Sequence, residues 1–412
     1  MKKIFPILPL HFVNVLGFSL LIPVLPSVIA EYSGVNQGLL YGLLLSSYSF
    51  MQFIAAPYLG KLSDRYGRRL LLILSQIGTL LSWIIFASAY FLPDDLQVWN
   101  MSVALLVILF ARIFDGLTGG NVSVAHAWVS DRTNKSEKTK AFGIVGAVYG
   151  FGFLLGPALG GFSVATPIAY LGTAILAIII SLVTLVVICV GLPESLPKAK
   201  RKVSERMELW QHLNFFAKFR LFRENKKIRP LLSSRVVFAL VYVAVTTSMI
   251  LLFQNHYLLI PIELGFVISV VGLFSIVNQA FIVPFVERKI GLVKTFYVGL
   301  LLTAVSLLIL PLLPWGLGNV FWGWPFWLFL INSFPFNLGL SMVITSFKAL
   351  ITTSTHESAQ GEATGLDESI TSFGHGVAPL FAGLLYDQFS FWIFGAYGAI
   401  LIVLFAKCIK FK

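Results

Sequence analysis

The chain has 412 residues, 57% hydrophobic and only 12% charged, with a mean hydropathy of +0.87. That composition excludes a soluble globular domain, which cannot hide so much apolar surface, and points to a membrane protein. A net charge of +12 would suit a nucleic-acid binder, but the distribution of the charge, described below, argues against one.

Met1-Lys2-Lys3 and the apolar run behind them resemble a secretory signal. The run continues to about Ala30, longer than a signal core, so it is read as a retained first span. Crossing the hydrocarbon core takes about 20 mostly apolar residues. Runs of that kind lie at 5–29, 40–59, 70–92, 98–130, 141–163, 168–192, 233–254, 264–286, 295–313, 325–348, 362–385 and 390–407. They are too long and too evenly apolar for barrel strands, so they are helices. The expected fold is an all-α membrane protein of twelve transmembrane helices. The two cysteines, Cys189 and Cys408, sit in or beside apolar runs and read as packing residues.

An even count puts both termini on one side. Apart from Arg112, every Lys and Arg falls in the loops of that side on this map, and the opposite loops hold only acids such as Glu31, Asp94, Asp95, Glu263 and Asp387. The positive-inside rule makes the terminal side cytoplasmic. The net charge is thus a topology signal, and no nucleic-acid partner is expected. The longest connection, 193–232, divides an N-terminal bundle (1–192) from a C-terminal one (233–412). Its stretch from Met207 to Phe219 mixes aromatics with charge and reads either as an interfacial helix on anionic lipid or as a plain tether.

The halves repeat. Gly143, Gly152, Gly156-Pro157, Gly160 and Gly161 recur 222 residues later as Gly365, Gly374, Ala378-Pro379, Ala382 and Gly383. The loop Gly60-Lys61-Leu62-Ser63-Asp64-Arg65-Tyr66-Gly67-Arg68-Arg69 has a weaker echo from Pro284 to Gly291. Two pseudo-symmetric six-helix bundles follow, and such duplications usually enclose a site near the membrane midplane.

Gly60 and Gly67 suit the corners of a short turn. Asp64 can face a helix N-terminus or pair with an arginine, and Arg68 can reach Asp131 as a clasp that latches one conformation; the other reading is a solvated basic loop that obeys the positive-inside rule. Small residues four apart, Gly152, Gly156 and Gly160, form a packing ridge that Pro157 can bend. The loop from Gly60 to Arg69, with Arg65 in it, resembles the signature between the second and third helices of the major facilitator superfamily. Gly152 to Gly161 is similar to the antiporter motif of its drug:proton exchangers. Arg112 to Gly120 resembles the motif with a membrane-buried arginine, and Pro23 to Pro26 also fits. The likeness covers nearly the whole chain and is nearest to the tetracycline and multidrug efflux branch. It implies alternating access and makes the glycine ridge a gate or a leak-tight seam; it does not fix a substrate. Tetracycline exporters carry acids on helices 1 and 3, where this chain has Asn14 and Ser82, which points away from tetracycline itself.

Charges inside a membrane are costly and mark function by default. Arg112 lies about 21 Å along the fourth span at 1.5 Å per residue, and Asp115 shares its face. The pair either fixes packing or carries the proton, with Asp115 protonated as substrate leaves and Arg112 setting its affinity. Asp367 and Glu368 enter the eleventh span from its cytoplasmic end and are further candidates, against a reading as acids at a helix start. His375 is a relay or substrate contact, or a neutral hydrogen-bonded ring. Asn14, Gln52, Asn121, Asn278 and Gln279, with His11 and His126, are cavity candidates. No His-Glu-x-x-His helix occurs, and the contexts of Asp115 and Asp367 do not fit an intramembrane protease. The expectation is a monomeric, proton-coupled exporter of small amphipathic molecules in a bacterial inner membrane, without metal or cofactor. Uptake or facilitated flux of a metabolite is the alternative.

Overall fold

A computed structural model describes residues 2–33, 36–93, 96–98, 101–201, 229–313, 323–354 and 360–409. The segment from Met207 to Phe219 lies outside the described residues. The spans, numbered in chain order, are α1 (Ile4–Tyr32), α2 (Gln37–Tyr66), α3 (Arg68–Phe91), α4 (Val103–Arg132), α5 (Lys135–Val164), α6 (Tyr170–Gly191), α7 (Arg229–Asn255), α8 (Pro261–Ile290), α9 (Leu292–Leu312), α10 (Trp324–Thr353), α11 (Gln360–Phe389) and α12 (Ile393–Ile409). The last two form one continuous apolar stretch, broken only by a tight turn at Ser390–Trp392. Twelve membrane-spanning helices are therefore present. The fourth span had been expected to begin near 98; instead a small antiparallel ribbon, β1 (Gln97–Val98) with β2 (Met101–Ser102), precedes it. Ser102 then caps α4 by accepting from the Ala104 N–H at 3.2 Å.

Local chemistry explains the interruptions. α1 opens into turns at 21–24, where Pro23 and Pro26 supply no N–H to the ladder. α4 breaks at Gly120 and Asn121, and Gln52 of α2 donates to the freed Gly119 carbonyl at 3.0 Å. α8 contains a π-helical turn, Asn278–Ile282, just ahead of Pro284. α2 turns into α3 on Gly67 (φ 103°), and α8 turns into α9 on Gly291 (φ 82°). Both backbones are left-handed, where a side chain is strained, and both sit at matching places in the repeat.

The chain forms two compact units. Unit 1 comprises Met1–Gln37, Leu43–Leu213 and Leu264–Ser269; unit 2 comprises Gly38–Gly42, Asn214–Glu263 and Val270–Lys412. In unit 1, α1 lies along α5, and α3 packs on α4 and α6. In unit 2, α7 lies along α11, and α9 packs on α10 and α12. α3 shows how such helices divide their faces. Leu70, Leu74, Ile77, Leu81 and Ile84 form an exposed apolar stripe, whereas Ser75, Gln76, Thr79 and Ser82 are buried. Apolar outside and polar inside inverts the soluble pattern, as a lipid-facing helix requires.

Candidate functional site

The turn between α2 and α3 is an ion-paired knot. Arg68 is buried; its guanidinium bonds Asp64 at 2.5 Å and Asp131, at the end of α4, at 3.2 Å. Ser195 also donates to Asp131, at 3.0 Å. Arg65 is exposed and stacks on Tyr66. Gly60 faces Ser123, whose hydroxyl donates to the Ala56 carbonyl at 2.7 Å and so ties α4 to α2. The centre of the knot is a residue that the sequence reading passed over. The Glu194 carboxylate accepts from the backbone N–H groups of Arg68 (2.9 Å) and Arg69 (3.2 Å), at the positive end of α3. It also pairs with Arg201 at 3.6 Å. A Cβ at Gly67 would collide with that carboxylate, so glycine is required there twice over. An acid between Pro193 and Pro197, just past a span, was the available signal.

The glycine ridge of α5 is a close seam with α1. A Cβ on Gly152 would stand 2.9 Å from Val15, and one on Gly156 or Gly160 would collide with Ser19 or the Leu20 backbone. Ser19 also donates to the Gly152 carbonyl at 3.0 Å. Pro157 lies within the same helix.

Deeper in unit 1, Arg112 and Asp115 are both buried and meet at 3.4 Å, one turn apart on α4. The guanidinium lies 4.3 Å from the centre of the Tyr48 ring, a cation–π contact. Its Nε and Nη2 have no hydrogen-bond partner among the described residues. The hydroxyls of Thr79 and Ser82 on α3 lie beside Asp115. Around the pair are two amide contacts: Asn14 donates to Asn121 at 2.8 Å, and Gln52 to the Tyr48 hydroxyl at 3.1 Å. Asn14, Gln52, Asn121, Arg112 and Asp115 thus fall in one region of unit 1, although they come from three helices.

Unit 2 has its own pair. Arg235, counted with the basic linker in the sequence reading, is buried within α7. Its Nε bonds Asp367 of α11 at 2.6 Å, and its Nη2 donates to Thr371 at 2.8 Å. The phenyl ring of Phe347 lies 5.8 Å from the guanidinium. His375 stands two turns beyond Asp367, within electrostatic reach of Arg235. Glu368, one position round, is exposed and takes no part in this pair. Asn278 is fully buried and donates to Asn337 of α10 at 3.1 Å, whereas Gln279 is exposed. Asn278 and Gln279, though adjacent, therefore differ in exposure.

The sequence profile of the Major Facilitator Superfamily matches residues 7–324 and again 240–411. The chain belongs to the major facilitator superfamily. Its membership makes it a transporter, and the twelve spans above are the helices of that fold. Within the superfamily it is similar to the class E tetracycline resistance protein of Escherichia coli, 27% identical over 411 residues, covering 95% of this chain and 92% of that protein. It is also similar to the quinolone resistance protein NorA of Staphylococcus aureus (strain MRSA252), 27% identical over 398 residues, covering 94% and 90%. Among solved structures, the human organic anion transporter MFSD10 (TETRAN) superposes with a TM-score of 0.69 at 20% identity, covering 98% of this chain and 99% of that one. That last likeness speaks for the fold alone.

Proposed function

We propose that this facilitator-superfamily protein exports small amphipathic organic molecules in exchange for protons, by alternating access, from a bacterial inner membrane with both termini cytoplasmic. The relatives' resistance to tetracyclines and quinolones supports efflux as the direction, and the sorting of the basic residues supports the orientation. The observation that carries the proton is the loose Arg112–Asp115 pair. At 3.4 Å its hydrogen bond is long, and Thr79 and Ser82 offer Asp115 other partners. Asp115 can therefore leave Arg112 without losing every hydrogen bond. An aspartate freed from its arginine in a low-dielectric interior takes up a proton, and one returned to it gives the proton up. The short Arg235–Asp367 bond, reinforced by Thr371, supports a structural role for Asp367 instead.

The test begins with a growth-inhibition screen that finds an exported compound. Adding that compound to energised inverted vesicles is expected to discharge the proton gradient. Asp115→Asn is expected to abolish the discharge while the inserted protein persists. Undiminished discharge by that variant would refute the role of Asp115. Compound movement with no proton signal in the parent protein would favour facilitated flux.

A further inference from the structure

Three side chains on three helices of unit 1 meet in a cluster that the scheme above does not use. His11 of α1 is fully buried. Its Nδ1 lies 3.2 Å from the Tyr149 hydroxyl of α5, and its ring stacks on His126 of α4 at 5.3 Å between centroids, 28° from parallel. His126 is half-buried, with the Phe142 ring edge-on at 5.6 Å. The Nε2 of His11 has no hydrogen-bond partner among the described residues. A buried nitrogen left unpartnered in a native site calls for an explanation.

We propose that His11 and His126 form a proton-binding pair through which the proton carried by Asp115 exchanges with the cytoplasm; this rests on the coupling role proposed for Asp115. The hydrogen bonds allow it. A hydroxyl both donates and accepts, so Tyr149 can hold either tautomer of His11. With Nδ1–H donating to Tyr149, the Nε2 lone pair is open. Protonation there forms one N–H bond, yields the imidazolium and breaks no existing hydrogen bond; release reverses it. Two imidazolium rings at this separation repel, so the pair holds one proton rather than two.

Position supports the same reading. His126 is six residues before Arg132, so about 9 Å from the basic end of α4. On the inner side, Tyr48 lies within electrostatic reach of Tyr149, Arg112 and Asp115 alike. The histidine cluster and the Arg112–Asp115 pair therefore lie within electrostatic reach of one another by way of Tyr149 and Tyr48. The titratable groups facing His11 are His126 from α4 and Tyr149 from α5, with Tyr48 of α2 behind Tyr149. Of the other helix packed on α1, α6, the titratable residues are Tyr170, bonded to Tyr32 at the far end, and Cys189, which is exposed.

The experiment is imidazole nitrogen NMR of the full chain, histidine-labelled, in lipid nanodiscs. Over a scan from about pH 3 to 8, His11 and His126 are expected to take up one shared proton in a single common step. His126→Asn and, separately, His11→Gln are expected to shift the step of the remaining ring. A His11 ring fixed in one protonation state over that range, or titration curves unchanged by the partner's substitution, would overturn the pair. Asp115→Asn separates the two proposals. Persisting export coupling in that variant, with the paired titration intact, removes the role of Asp115 and the passage to it, and leaves only the proton-binding pair. Lost coupling with fixed rings does the reverse.

Discussion

Units 1 and 2 each hold an arginine–aspartate pair within their spans, but the two are built differently. Arg235 and Asp367 belong to different helices, meet at 2.6 Å and share Thr371, so they fasten α7 to α11. Arg112 and Asp115 sit on one helix, meet at 3.4 Å and leave two guanidinium nitrogens without partners among the described residues. A short bond between two helices resists motion. A long one on a single helix holds little together and is free to change partners. Charge buried in a membrane therefore need not be functional in the same sense twice in one molecule.

The sharpest way to break this contrast is to remove each arginine. Arg235→Met strands a buried carboxylate and parts two helices, at an expected cost of about 3–5 kcal/mol. Arg112→Met leaves Asp115 beside Thr79 and Ser82, at an expected cost of about 1–2 kcal/mol. Thermal unfolding of the purified variants reads both, and equal losses would dissolve the distinction. The seams differ in the same sense. Gly156→Ala forces α5 from α1 and is expected to cost about 1–3 kcal/mol. In unit 2 a Cβ at Gly374 would sit 3.4 Å from the Ala239 backbone, an ordinary contact. Gly374→Ala is accordingly expected to be neutral or to gain up to about 1 kcal/mol of helix propensity. The smallest loss concerns an amide. Asn14→Leu removes one interhelical bond and is expected to cost about 0.6 kcal/mol. Asn337→Leu, which strips partners from Asn278 and Ser275, is expected to cost more in the same melting assay.

Most of the architecture was legible because the bilayer imposes it. Span length, the sorting of Lys and Arg, and the glycines at 67 and 291 each follow from a constraint that acts locally along the chain. What stayed hidden were relations across helices. Nothing near Arg235 announces Asp367, 132 residues away. Its position just inside a span, beside a basic linker, made it look like one more topology charge. Glu194 was hidden for a similar reason, since its partners at Arg68 and Arg69 lie four spans back. His11 and His126 were visible as polar residues in apolar runs, but a span that is apolar all round gives no rotation, and rotation decides whether two rings meet. Glu368 and Gln279 are more exposed than Asp367 and Asn278 beside them, because adjacent positions point about 100° apart.

The π-helical turn at Asn278–Ile282 has a consequence for how this protein tolerates change in length. There Val283 reaches back five residues to the Asn278 carbonyl, so the coil accommodates one residue beyond ordinary pitch. Deleting any single residue inside that turn lets the winding close up, and Arg288 and Lys289 downstream keep their bearing. The same deletion a turn earlier swings everything beyond it by about 100° and carries those cations round the helix. The eighth span thus holds its own slack, one residue deep, at a fixed address.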